Sequence, residues 1–380
     1  MAAGTDRDGG LWAQLGAMVA LGLVAQAGCG STARSGANDG GAGVLEAGRG
    51  GGGASGGAVP VAGGVNGGGA LSLGGSSAGA PASGGAAFVP PSCNEIKFAD
   101  ATLEAEVRRK VQNPDRPLSA EDGAFIQDLL ISSDITSLQG AECLPNLKSL
   151  NVVGSIPSLE PLRSLPKLQY LHVHSAALTD MAALSSLAAL ETLTLWEAPA
   201  SDAALLTSLS NLRELVILEG TPPAHMSSLC SCPKLSYLRL ERLNISDLSA
   251  LASCTNVTTL ALQQNAIADA SPLSALNQLQ SLDLSINQLT TLTTLSTLLN
   301  LVGLGVADNK LADFSPLAQL KSLQDVNATS NSSASLSPFV ALPNLTNLDL
   351  RQTALDCAGE ATNLAALKQK LGSLFLSDCP

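Results

Sequence analysis

From residue 126 onward, short stretches of alternating apolar and polar residues return at one fixed period. In the stretch beginning at Leu279, apolar side chains fall at relative positions 1 (Leu279), 4 (Leu282) and 6 (Leu284), with Asn287 at position 9. Position 1 recurs at Leu147, Leu168, Leu190, Leu212, Leu235, Val257, Leu279, Leu301, Leu323 and Leu345, so successive gaps are 21, 22, 22, 23, 22, 22, 22, 22 and 22 residues. A weaker copy precedes them at Ile126, Leu129 and Ile131, and a last one follows at Leu371, Leu374 and Leu376. Apolar positions 4 and 6 between polar 3, 5 and 7 predict a short strand with one buried face. One strand of that length cannot hold itself in water. Stacking the equivalent strand of every repeat predicts a parallel sheet backed by a continuous leucine column. The other half of each unit, as in Asp269-Ala-Ser-Pro-Leu273 and Asp313-Phe-Ser-Pro-Leu317, is too short for a long helix and predicts 3-10 turns or short helices on the opposite side.

An open stack would expose its leucine column at both ends, so lids are expected. Leu103, Val107 and Val111 follow Asp100 at four-residue spacing and predict an amphipathic helix with an N-cap. Ser119 and Asp122 mark the start of a second short helix, and residues 363–370 predict a helix leading into the last strand.

This 22-residue unit, with its Ser-Pro-Leu half, resembles the leucine-rich-repeat family and, within it, the internalin-type bacterial subclass. The resemblance covers residues 126–380. It implies an α/β leucine-rich-repeat solenoid (a horseshoe) with a parallel β-sheet on the concave face, short 3-10 or helical convex segments, a small helical N-cap and a disulfide-closed C-cap. It also implies that the position-9 asparagines Asn265, Asn287, Asn309 and Asn331 bond the backbone of the turn, satisfying groups otherwise buried unpaired. Position 9 elsewhere holds Ser155, Ala176, Ala198, Gly220, Leu243 and Thr353, so those turns require another tie. The resulting division is a signal peptide at 1–28, a tether at 29–92, an N-cap at 93–125, repeats at 126–356 and a C-cap at 357–380.

Eight cysteines suit an oxidising compartment better than the cytosol. Cys357 and Cys379 bracket the C-cap and are expected to bridge. Cys232 and Cys254 share a repeat position, and stacked equivalents lie ~4.8 Å apart, within disulfide reach. Cys230 competes for either partner. Cys93 and Cys143 would tie the N-cap to the first rung. For each cysteine the alternative is a small buried hydrophobe.

The apolar run at residues 11–28 is short for a membrane span and has signal-peptide length. Gln26-Ala27-Gly28-Cys29 resembles a lipoprotein cleavage box, which implies lipid on Cys29 and, with Gly30 following, outer-membrane sorting. Ala25-Gln26-Ala27 is the rival A-x-A site, which would release a soluble secreted or periplasmic protein. Residues 30–92 are Gly, Ala and Ser-rich without period and bury too little to fold. A coil of that length reaches roughly 45 Å, a span useful when its start is pinned to a membrane. Membrane attachment would then run through the N-terminal lipid only.

Positions 3, 5 and 7 face the concave side. The Leu168 rung presents Tyr170, His172 and His174 there. The next three present Thr192, Thr194 and Trp196, then Glu214, Val216 and Leu218, then Tyr237, Arg239 and Glu241. Both tyrosines of the chain, and its one tryptophan outside the signal segment, thus fall on one face of adjacent rungs. Such residues dominate binding hot spots, so a ligand site centred on Tyr170, His172, His174, Trp196, Leu218, Tyr237 and Arg239 is expected. A self-packed aromatic ladder that stiffens the sheet is the competing reading.

Formal net charge is −12 and no basic run occurs, which argues against nucleic acid. His172 and His174 lack the further ligands zinc needs, so no metal is expected. No catalytic motif is present and no cofactor is implied. Two functions remain: a non-catalytic, surface-anchored protein recognising a protein or glycan ligand at the cell surface, or a structural envelope lipoprotein without a specific ligand.

Overall fold

The computed structural model describes residues 93–112, 115–198, 203–332 and 335–376. The expected signal peptide, lipidated Cys29 and tether lie outside these residues, as does Cys379. Among the described residues no helix is long and apolar enough to cross a membrane.

The chain opens with a small lid. Strand β1 (Glu95–Ile96) pairs antiparallel with β2 (Leu118–Ser119), an addition to the two expected helices. Helix α1 (Ala101–Lys110) starts where Asp100 accepts from the backbone N–H groups of Thr102 and Leu103. The same carboxylate accepts from Thr136 N–H at 2.8 Å, which pins the helix to the first rung. Leu103 and Val107 then face the core. Helix α2 (Ala120–Phe125) is opened by a capping box in which Ser119 and Asp122 satisfy each other's backbone N–H.

Twelve parallel strands follow in strict sequence order. They are β3 (Asp128–Ile135), β4 (Ser149–Gly154), β5 (Tyr170–His174), β6 (Thr192–Trp196), β7 (Glu214–Leu218), β8 (Tyr237–Glu241), β9 (Thr259–Ala261), β10 (Ser281–Asp283), β11 (Gly303–Gly305), β12 (Asp325–Asn327), β13 (Asn347–Asp349) and β14 (Ser373–Phe375). Every return half carries a 3-10 segment or, in one case, the short helix α3 (Ser337–Val340); α4 (Ala361–Lys370) precedes the last strand. The chain is therefore a leucine-rich-repeat solenoid. Its core is a set of stacked columns: Leu260, Leu282 and Leu304 from the strands face Leu273, Leu295 and Leu317 from the 3-10 segments, all at or near zero exposure.

Two asparagine ladders brace the ends of the strands. Asn287 illustrates the position-9 ladder. Its Nδ2 donates to Leu262 O and Leu284 O at 3.0 Å, and its Oδ1 accepts from Ile267 N–H at 3.0 Å. Asn265, Asn309 and Asn331 repeat the pattern. A second ladder, not evident from the 1, 4, 6 and 9 pattern, stands just before position 1. Asn146, Asn211, Asn256, Asn300 and Asn344 each donate to a backbone carbonyl of the preceding rung.

Where position 9 lacks asparagine, the turns are tied differently. Buried Ser175 both accepts from Ile156 N–H and donates to Ile156 O, and the Thr353 hydroxyl donates to Leu350 O. Strands β5 to β8 extend over positions 3–7, whereas β9 to β13 stop at position 5. In β9 to β12 the asparagine takes up the carbonyls at positions 6 and 7, ending the regular strand early, and in β13 the Thr353 hydroxyl takes up the carbonyl at position 6. In most rungs the residue at position 8, from Glu197 to Gln352, leaves the strand in the left-handed region with φ between 52 and 60°. At the first of these turns the residue is Gly154, where a Cβ would lie 2.0 Å from Ile135 O, so only glycine fits.

Two disulfides are present among the described residues, Cys93–Cys143 and Cys230–Cys254. The second corrects the expected Cys232–Cys254 pair. Sharing a repeat position stacks those two residues, but the Cys232 sulfur turns toward the preceding rung, donating to Leu206 O at 3.4 Å. Cys230 is the residue brought opposite Cys254, at a Cα separation of 4.3 Å. Cys232 remains a free thiol in the core, its pKa raised by burial. Cys357 is engaged in a disulfide.

Two outcomes follow for stability. Asn287→Ala strands Ile267 N–H and two buried carbonyls, so chemical denaturation should show a loss of about 1–3 kcal/mol, with an unchanged transition contradicting the ladder's role. The Arg116 guanidinium, 2.6 Å from Asp122, and the Ser119 N–H hold the Asp122 carboxyl at about 2, below its ordinary 3.8. A folded-state value below the unfolded one stabilises fully above pH ~4 and is lost as pH falls toward 2. Asp122→Asn should therefore flatten the acid limb of a Tm-against-pH curve, measured by circular dichroism.

Candidate functional site

The register of β4 to β8 places side chains in rows across the concave face. One row runs Val153, His174, Trp196, Leu218, Glu241, a second Asn151, His172, Thr194, Val216, Arg239, and a third Ser149, Tyr170, Thr192, Glu214, Tyr237. The structure thus brings Tyr170, His172, His174, Trp196, Leu218, Tyr237 and Arg239 onto one surface, because alternation along each strand sends positions 4 and 6 into the core.

Within that surface the side chains differ in availability. Tyr170 is 47% exposed. Trp196 is half-buried: the His174 ring stacks on it with centroids 4.4 Å apart and planes 9° from parallel, and Leu218 is its register neighbour on the other side. The indole Nε1 is buried without a hydrogen-bond partner. His174 Nε2 also stands 3.2 Å from a Glu197 carboxylate oxygen. His172 is pushed below its usual pKa by burial and secondarily by the charge of His174, so it is neutral at pH 7. Burial raises the Tyr237 phenol, keeping it protonated. Arg239 donates to Glu241 at 2.8 Å, so its charge is already paired. Val216, at an outward position, is only 3% exposed because its neighbours cover it.

Three parts of this surface are not legible in the repeat pattern. Leu130 on β3 is 46% exposed and lies in the same row as His172, with Asn151 between. Its signal was masked because it stands between in-facing Leu129 and Ile131, and a run of three apolar residues hides the alternation. Val153 continues the Trp196 row toward Leu130's end of the sheet. At the strand exits, Glu197, Glu219 and Arg242 form a charged rim, with Arg242 bonded to both Glu219 and Gln264. Their left-handed backbone sets them there, a feature of the turn and not of residue type. Among the described residues no group of three or more His, Cys, Asp or Glu side chains is arranged to hold a metal ion.

No protein-family model matches this chain, and no curated protein matches it. Solved structures do. An internalin (inlF) from Listeria monocytogenes superposes with a TM-score of 0.62 at 27% identity, covering 77% of this chain and 93% of that one. The functional domain of InlJ from the same bacterium, described as including a cysteine ladder, gives a TM-score of 0.50 at 19% identity over 74% of this chain and 70% of that one. The Drosophila Toll–Spätzle complex gives 0.56 at 19% identity over 70% and 40%. The chain is similar to these leucine-rich-repeat structures in fold.

Proposed function

We propose that this chain is a non-catalytic binding protein that holds a protein ligand on the concave face of its repeats, at the surface formed by β3 to β8. The observation that carries this reading is the exposure of Tyr170 and Leu130, the large apolar side chains of β3 to β8 left most open to water. An aromatic ring left in water in a chain with only 3% aromatic residues costs solvation that a partner would recover. The neighbouring Trp196 is sandwiched and tied through His174 to Glu197, which makes it a rigid floor under the site. Toll, which has the same fold, forms a complex with Spätzle; the fold can carry a protein partner.

The same stack favours a second reading. If Trp196, His174 and Leu218 form only a self-packed ladder, the chain is a structural envelope component and Tyr170 is incidental.

We further propose export and anchoring through lipid on Cys29, with residues 29–92 as the tether. Disulfides Cys93–Cys143 and Cys230–Cys254 support an oxidising compartment.

A pull-down from envelope and culture extracts tests the first reading. The Tyr170→Ala, Leu130→Ala double variant should keep the parent's melting temperature and lose the captured protein. Equal recovery by parent and variant, or no captured protein, sinks the concave-face reading in favour of the structural one. For the anchor, the full chain expressed with radiolabelled palmitate should take up label and Cys29→Ser should not; an unlabelled parent protein would mean cleavage at the A-x-A site.

A further inference from the structure

The other half of the concave face contains a break in its side-chain rows. Strand β11 has glycine at both outward positions, Gly303 and Gly305. In register, Ser281 and Asp325 flank Gly303, and Asp283 and Asn327 flank Gly305. The Asp283 carboxylate leans across the empty place over Gly305, where a Cβ would lie 2.5 Å from its Oδ1. It is held there by Ser285 N–H at 2.9 Å and by Gln263 Nε2 at 2.8 Å. On the far side, Asp325 Oδ1 accepts from Asn347, while Oδ2 accepts no hydrogen bond from the described residues.

These groups are deep in the face. Ser281, Asp283 and Asp325 are only 8, 9 and 7% exposed. The Ser281 hydroxyl, beside Gly303, has no hydrogen-bond partner among the described residues, and Gln263 Oε1 is buried without one. Among the described residues no lysine, arginine or histidine pairs with either aspartate. The cations that reach this face are engaged elsewhere: Lys110 with Asp128, Arg239 with Glu241 and Arg351 with Asp349.

Two carboxylates this buried and unneutralised are costly unless a cation joins them. Adjacent strands are ~4.8 Å apart and residues rise ~3.3 Å along each, so Asp283 and Asp325, two strands and two residues apart, stand about 12 Å apart at the backbone on a diagonal, and the lean of Asp283 narrows the gap. The space between them is the side-chain-free place over Gly303, with Ser281 and Asp325 on either side of it in register and the leaning Asp283 at the next outward position. That accommodates a single ammonium or guanidinium group, whose several N–H donors match Asp325 Oδ2, Asp283 and the Ser281 hydroxyl. Calcium wants roughly six to eight oxygens, more than two carboxylates and a hydroxyl offer.

We infer that the notch between β10 and β12 anchors a lysine or arginine side chain of the protein ligand. This rests on the reading that a protein occupies the concave face, and it names a requirement on that partner. Gly303 lies six strands from Tyr170, about 29 Å at the usual spacing. An extended segment rising ~3.3 Å per residue would put its basic residue about nine positions from the one on Tyr170.

Fluorescence anisotropy of fluorescein-labelled heptalysine, titrated with the full chain, tests the notch directly. The Asp283→Asn, Asp325→Asn variant should weaken binding about tenfold or more. Gly303→Leu, which blocks the notch and keeps every charge, should weaken it as much. A charge-matched variant on the rim, Glu197→Gln with Glu219→Gln, should change it less than about twofold. Equal weakening by the rim variant, parent-like binding by folded Gly303→Leu, or no heptalysine binding by the parent would each overturn the inference. Melting curves identify any variant that fails to fold, and if the double aspartate variant does so, Gly303→Leu and the rim variant decide. Tyr170→Ala should bind heptalysine like the parent. Loss of the captured protein without loss of heptalysine, or the reverse, therefore separates the two readings.

Discussion

A five-residue strand with one apolar face buries too little surface to stay folded in water, and so does the 3-10 turn that returns behind it. Everything else in this chain follows from the solution to that constraint, which is to lay each strand against its neighbour so that Leu260, Leu282 and Leu304 become one column. Stacking buries the turns as well as the leucines, and every backbone N–H and C=O in those turns must then find a partner. The asparagine ladders do this by reaching from one rung to the previous one. They bond rung to rung at both ends of the strand, so the sheet is pinned along its two margins.

The two halves of the concave face differ because the turns are closed differently. Asparagine at position 9 draws in the carbonyls of positions 6 and 7 in β9 to β12, Thr353 draws in that of position 6 in β13, and these strands are short. Without it, β5 to β8 stay regular through position 7, which adds a third outward row holding His174, Trp196 and Leu218. The broader, aromatic half and the narrower, acidic half are thus consequences of one repeat position. Small residues on β10 and β11 let the acidic half close over its own side chains, leaving Asp283 and Asp325 buried at its floor.

The charges on this face are largely settled within the chain, with Arg239 and Arg351 each held by the carboxylate two residues on or before. That removes positive charge from the surface available to a partner and leaves Asp283 and Asp325 as deeply buried carboxylates without a cation among the described residues. A face with apolar contact at one end and buried negative charge at the other has a direction, which a repeat of identical units would lack.

The sequence alone was enough for the solenoid, because a 22-residue period with in-facing positions 4 and 6 admits one stacking register. It also sufficed for the cap residue Asp100, the four position-9 asparagines as a group, and the row positions of Tyr170, Trp196 and Tyr237, since strand alternation decides which face a residue takes. What periodicity cannot encode is where a side chain points once it has reached its face. Cys232 shares its repeat position with Cys254 yet turns its sulfur to the previous rung, and Cys230 makes the bond. Trp196 reaches the concave face but is covered there by His174, while Leu130, hidden in an apolar run, is left in water. Nothing in the repeat pattern marks Gly303 and Gly305, and only the lean of Asp283 across one of them reveals what they make room for. Those outcomes depend on rotamers and on neighbours a full repeat away in sequence, so they were decided by packing between rungs and not by the pattern within one.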